Sequence, residues 1–256
     1  MPVIASTVDV NSDAYKANRE GMLACVDELR AVEAKVHATE QSKAERFRKR
    51  EQLLPRDRVN LLLDAGSPFL ELSTLCGYKS HDDTDGSLAG GNSICGIGYV
   101  AGTRCLINAS NSAIKGGTMT PWGVQKTLRV QEIALQQKLP LVSLIESGGA
   151  NLLYQDEMFI QGGRTFANQA RLSAAGLPQV TVVHGSSTAG GAYMPGLSDY
   201  VIMVRGRAKV FLAGPPLLKA ATGEIADDEE LGGADMHAST AGTCEYLASD
   251  DADGIR

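Results

Sequence analysis

The sequence predicts an α/β fold: a largely parallel sheet covered by helices on both faces, preceded by a helical segment. Three observations carry that prediction. Beyond Gly90, short β-rich runs alternate with stretches of helical periodicity. Runs such as LVSLI and VTVV are apolar at consecutive positions, as in strands buried on both sides. Glycine pairs stand where strands meet helices, allowing tight turns and close backbone approach.

Composition bounds the class. The chain has 256 residues, 43% hydrophobic and 21% charged, which is globular and sufficient for one large core or two small ones. A net charge of −6 argues against a general nucleic-acid binder. No apolar run approaches membrane-spanning length, and the start, MPVIASTVDVNSDAYK, lacks a secretory pattern. The expectation is a soluble intracellular protein. Five cysteines, odd in number and without a C-x-x-C pair, read as reduced and mostly buried thiols. The four histidines show no ligand spacing, so no metal site is expected.

In chain order, the first ten or so residues read as a loose arm. From about Arg19 the pattern turns helical, with Met22, Val26, Leu29, Val32 and Val36 three or four residues apart. The basic stretch that follows reads as a second helix ending near Pro55, then a short one from Val59 to Leu63 stopped by Asp64-Ala65-Gly66. Most arginines here read as a solvated face, with phosphate contact open to one or two. Strands are predicted over 93–101, 104–109, 141–145, 180–184, 200–204 and 209–212, with helices over 124–138, 162–175 and 189–197. Strand, helix, strand in repetition implies right-handed crossovers.

Chemistry belongs at the carboxyl ends of such a sheet. Two junctions stand out there: Ser147-Gly148-Gly149-Ala150-Asn151 after LVSLIE, and Ser186-Ser187-Thr188-Ala189-Gly190-Gly191-Ala192 after VTVVHG. Both let a ligand reach main-chain N–H groups without meeting a Cβ. The second is also read as opening a helix, whose first N–H groups lack partners and carry the positive dipole end. An oxygen gaining negative charge, such as a thioester enolate, suits that place. Tight helix–sheet packing is the competing reading for either pair alone. No phosphate-loop or dinucleotide motif competes. A hydrolase does: Gly185-Ser186-Ser187-Thr188-Ala189 approaches a nucleophile elbow, with His237 the one histidine late enough to serve Ser187.

At these residues the sequence resembles a family. The stretches LIESGGANLLYQDEMFIQGGRTFANQARLSAAGLPQVTVVHGSSTAGGAYMPGLSDYVIMV and GPPLLKAATGEIADDEELGGADMHASTAGTCEYLASDDADGIR are similar to carboxyltransferase (β) subunits of biotin-dependent acyl-CoA carboxylases. So are LLPRDRVNLLLDAGSPFLELS and NASNSAIKGGTMTPWGVQKTLRVQEIA, with the methylcrotonyl-CoA and geranyl-CoA branch most similar. The resemblance implies a crotonase (ClpP/crotonase-type) fold of stacked ββα units and a cytoplasmic or mitochondrial-matrix enzyme. It implies transfer of CO2 from carboxybiotin, carried by a biotin carboxylase/biotin carrier α subunit, to an acyl-CoA through an enolate. The base is then the cofactor's own ureido nitrogen, which accounts for the lack of a side-chain base in the sequence. Gly190 and Gly191 match the family's oxyanion glycines, with Ala189 beside them. Gly148, Gly149 and Ala150 match its other glycine-rich loop, and Lys115, Gly116 and Gly117 its K-G-G-T element near CoA. Asn151-Leu152-Leu153 stands where related members have Asn-Leu-Pro, implying a different acyl pocket. By the same resemblance, 1–256 corresponds to an N-terminal carboxyltransferase domain, with 1–64 helical and 90–256 the crotonase-like core. The C-terminal biotin-side domain is absent, leaving an acyl-CoA-binding half that acts with the complete β subunit as a homo-oligomer. A related CoA decarboxylase stays open beside the Ser187 hydrolase.

Overall fold

The computed structural model describes residues 5–256. The loose arm predicted at the start lies partly outside these residues; 5–9 carry no regular structure. Helix α1 (Asp13–Gln41) opens earlier than its apolar pattern, because the Ser12 side chain caps it by accepting from the Tyr15 N–H. Its stripe is only half used: Val36 is buried, whereas Met22 and Leu29 are exposed.

The next segment departs from expectation. Helix α2 (Ala44–Lys49) stops well short of Pro55, and Pro55 opens α3 (Pro55–Leu62). Proline suits the first helical position, where no N–H is needed, and pushes the residue before it into extended backbone. Leu54 accordingly sits at φ −61°, ψ 149°. The solvated-face reading fails for two arginines. Arg56 pairs with Glu40 and Glu71, and Arg58 is buried against Glu146 and Asp251. Arg48 and Arg50 are exposed as expected.

A two-residue β1 (Leu70–Glu71) pairs with β2 (Ser93–Val100), which forms a hairpin with β3 (Thr103–Ser110). From there the chain alternates: α4 (Pro121–Gln137), β4 (Leu141–Ser147), α5 (Gln155–Ala174), β5 (Gln179–Thr188), α6 (Tyr193–Gly196), β6 (Tyr200–Val204) and β7 (Lys209–Phe211). Helices α7 (Pro215–Thr222), α8 (Asp228–Gly232) and α9 (Ala234–Met236), strand β8 (Tyr246–Ala248) and α10 (Asp251–Ile255) complete it. Strands β3, β4, β5, β6 and β8 are parallel neighbours in that order, and β7 adds to the end of β5.

The sheet is covered on both faces, as its apolar runs predict. In β3, Cys105, Ile107 and Ala109 face a cluster with Val59 and Leu62 of α3. Leu106 points the other way, onto Val130 and Ala134 of α4 and Leu172 of α5. Leu106 is fully buried, and its truncation to Ala is expected to cost about 2–5 kcal/mol. Because β3, β4 and β5 are parallel, their carboxyl ends, Ser110, Ser147 and Thr188, deliver three loops to one edge of the sheet.

Candidate active site

Those three loops converge. After β3, Lys115, Gly116 and Gly117 form a 3-10 turn with three consecutive left-handed residues, at φ 46°, 64° and 67°. Thr120 then caps α4 by accepting from the Gly123 N–H. After β4, Ser147, Gly148, Gly149 and Ala150 run alongside that turn. The Met119 N–H donates to the Gly149 carbonyl at 2.9 Å, and the Asn151 N–H to the Met119 carbonyl at 3.0 Å. The Ser147 hydroxyl donates to the Gly117 carbonyl at 3.0 Å.

After β5 the chain turns at Ala189, a non-glycine residue at φ 52°, into a 3-10 turn (Ala189–Ala192) that leads into α6. A non-glycine residue held there is strained and marks a site that the surrounding structure over-determines. The predicted helix over 189–197 is thus a 3-10 turn followed by a single α-turn, too short to add a macrodipole of consequence. What the turn does supply is geometry. The third N–H of a 3-10 turn closes it on the carbonyl of the preceding residue, so that of Gly191 faces Thr188 and the N–H groups without a partner in the turn are those of Ala189 and Gly190. A Cβ on Gly191 would meet Ser147 and Ser187, and one on Gly149 would touch Thr188, so the two glycine turns abut.

The turns are not equivalent donors. The Gly149 N–H donates to Ser147 Oγ at 3.2 Å and the Gly148 N–H to the Gly116 carbonyl at 3.3 Å. Gly148 and Gly149 therefore use their N–H groups to hold the 115–117 turn in place. The cleft between the loops is lined by Asn92, Gly117, Ser147, Phe166, Gly190 and Gly191, among others, and none of its lining side chains is acidic, basic or histidine.

Ser187 is not a nucleophile of the predicted kind. Its hydroxyl is fully buried and donates to the Gly191 carbonyl at 2.9 Å, which shapes the turn. His237 is engaged elsewhere, with its ring nitrogens on Thr243 and the Val210 carbonyl. His184 pairs with Asp251. Lys115 does not line this cleft but a neighbouring pocket, where it is paired with Asp82, whose other oxygen accepts from the Tyr154 hydroxyl at 2.6 Å.

Several contributors carry no sequence signal. Asn92 donates to the Thr118 carbonyl at 2.8 Å, and buried Lys126 donates to the carbonyls of Gly90 and Ser93. An asparagine and a mid-helix lysine look like surface residues until the loops that need them are placed. All five cysteines are free thiols, three of them buried, and among the described residues no cluster of His, Cys, Asp or Glu could hold a metal. Among the same residues, no helix is long and apolar enough to cross a membrane.

Fold and site together define an α/β domain whose strand-end loops meet around a cleft lined by main chain and uncharged side chains. The carboxyl transferase domain family matches residues 46–256, and the chain belongs to that family. A probable biotin-dependent acyl-coenzyme A carboxylase beta2 subunit of Mycobacterium tuberculosis is 49% identical over 99% of this chain and 47% of its own length. A probable mitochondrial methylcrotonoyl-CoA carboxylase beta chain of Drosophila melanogaster is 47% identical over 97% of this chain and 43% of its own. The crystal structure of the P. aeruginosa geranyl-CoA carboxylase beta subunit superposes with a TM-score of 0.90 at 62% identity, over all of this chain and 47% of that one. The transcarboxylase 12S hexamer structure gives 0.83 at 26% identity, over 91% and 46%. The fold is thus the crotonase type expected from the sequence. The chain spans about half the length of these relatives.

Proposed function

We propose that residues 1–256 supply the acyl-CoA side of a biotin-dependent carboxyltransferase. The carrying observation is a strained turn whose Ala189 and Gly190 N–H groups have no partner within it and sit beside a cleft without a side-chain base. A thioester carbonyl placed against those N–H groups gains negative charge as its α-carbon loses a proton. Preorganised donors of this kind contribute about 3–4 kcal/mol each.

Bound biotin would bring the carboxyl group and accept the proton, and a cleft without a competing base fits that division of labour. This chain's residues then orient and stabilise. Gly148, Gly149 and Ala150 would brace the turn from the side of Thr188, and the 115–117 turn would border the approach for pantetheine or phosphate, with Lys115 as a cation for it. Exposed Leu152 and Leu153, which follow the Gly148–Ala150 loop, and Ile160 of α5 suit burial by the biotin side, which we assign to structure outside these residues. The partners would be a biotin carboxylase/biotin carrier subunit and further β subunits, in bacterial cytoplasm or mitochondrial matrix. Relatives named for methylcrotonoyl-CoA and geranyl-CoA support acyl groups of that branch. The test is radiolabelled bicarbonate fixation by the assembled carboxylase over a panel of acyl-CoA thioesters. Incorporation into a branched unsaturated acyl-CoA is expected; none into any thioester would refute the proposal.

A further inference from the structure

Behind the two glycine turns lies a cluster of charged and polar side chains that the proposed reaction does not use. Arg58 of α3, only 1% exposed, donates from Nη1 to Glu146 Oε2 at 2.7 Å and from Nε to Asp251 Oδ2 at 3.0 Å. Asp251, at the start of α10, also accepts from the Leu53 N–H at 2.8 Å and lies 3.0 Å from Nδ1 of fully buried His184 on β5. Ser112 Oγ adds a bond to Glu146 Oε2 at 2.9 Å. One buried cluster therefore ties α3 and α10 to the ends of β4 and β5.

Its position in the sheet is specific. Strands β4 and β5 pair residue for residue up to Ile145 and Val183, and the next pair is Ser147 with Ser187. While β4 advances two residues, β5 advances four, so β5 bulges over His184, Gly185 and Ser186. Glu146 faces that bulge. Its Cγ packs against Gly185, where a Cβ would come within 2.7 Å. Immediately beyond lie the two serines that shape the turns: Ser147 bonded to Gly117 and Gly149, and Ser187 bonded to Gly191. Bulges beside active sites re-aim the chain that follows them. This one cannot relax without separating a buried arginine from its carboxylates, which is strongly unfavourable.

We propose that Arg58, Asp251 and His184 hold Glu146 against the β5 bulge, and that this unit sets where the Ala189 and Gly190 N–H groups point. These are positioning residues: none lines the cleft. The inference rests on the function proposed above, and two readouts separate them. In the assembled carboxylase, Glu146→Gln keeps the size of the side chain and removes its charge. Turnover per active site should fall at least tenfold, with the KM for acyl-CoA changed less than twofold. Hydrogen exchange should accelerate in peptides covering 146–150 and 185–192 and stay unchanged in β2 and β3. A purely stabilising cluster would lower the unfolding midpoint and leave turnover per folded site and local exchange alone, and that result overturns the proposal. Should Glu146→Gln fold poorly, Gly185→Ala displaces the same side chain with every charge retained, and the same two readouts apply. If the wild-type assembly fixes no bicarbonate, the functional reading falls, and the exchange comparison alone decides the positioning claim.

Discussion

The backbone of Gly117 lies so close to the carbonyl oxygen of Glu146 that a Cβ would overlap it. The 115–117 turn and the end of β4 thus touch main chain to main chain beside the Ser147 hydrogen bond, and Gly117 also sits at a left-handed φ of 67°. Gly116 has a similar φ of 64° but open space around it. Left-handed backbone costs an L-residue about 1–2 kcal/mol. Gly116→Ala should lose roughly that amount. Gly117→Ala should lose more, because the overlap falls on rigid backbone. Urea midpoints at unchanged m-value measure both, and equal losses would mean that the Glu146 contact yields without cost.

Lys115 is neutralised where it stands. Its bond to Asp82, with that of Tyr154, holds the Asp82 carboxyl below the usual carboxylate range, so the pair stays charged at neutral pH. Asp82→Asn releases the lysine for a phosphate. The KM for acyl-CoA is expected to fall about two- to fivefold at low salt, converging on wild type as screening sets in near and above 0.15 M. Lys115→Met should raise KM and remove most of the salt dependence. Steady-state kinetics at two ionic strengths checks both directions.

Acid should weaken the fold in two stages. Burial, opposed by the bond to Asp251, lowers His184 below its ordinary 6.5 and keeps it neutral in the native state. The unfolded chain takes up that proton first, so this contribution is complete above 6.5 and is lost as pH falls below it. For Asp251 burial works against ionisation, but the bond from His184 and the Arg58 charge outweigh it and leave the carboxyl below its ordinary 3.8. Its contribution is present above 3.8 and lost on further acidification. In His184→Gln the first stage should flatten and the second shrink to what the Arg58 charge and the Leu53 N–H sustain, seen as thermal midpoint against pH. A retained slope between about 6 and 5 would contradict a buried neutral histidine.

Legibility in the sequence followed the range of the interaction. Strand β4 announces itself through LVSLI because burial on both faces leaves an apolar run. The last four residues of β5 do not, since Gly185, Ser186, Ser187 and Thr188 are chosen by the bulge and turn they build. The glycines of the three loops were visible as pairs at strand ends. Which of them kept free N–H groups was not, because Gly148 and Gly149 are engaged by Gly116 and Ser147. Arg58 looked solvated because its carboxylates come from 88 and 193 residues away. Met22 and Leu29 misled in the opposite sense: their helical spacing is regular, yet no part of the described chain covers them.

The central claim is that the free N–H groups of the Ala189–Gly190 turn serve a substrate oxygen, and Gly190 allows the cleanest test. A Cβ there would meet only Phe166, at 3.8 Å, so a larger side chain enters the cleft without disturbing the fold. The decisive measurement is bicarbonate fixation into acyl-CoA by the assembled carboxylase carrying Gly190→Val, beside its thermal midpoint. Turnover should fall about 10²- to 10³-fold with the midpoint unchanged. Wild-type turnover in a folded Gly190→Val enzyme would contradict the claim.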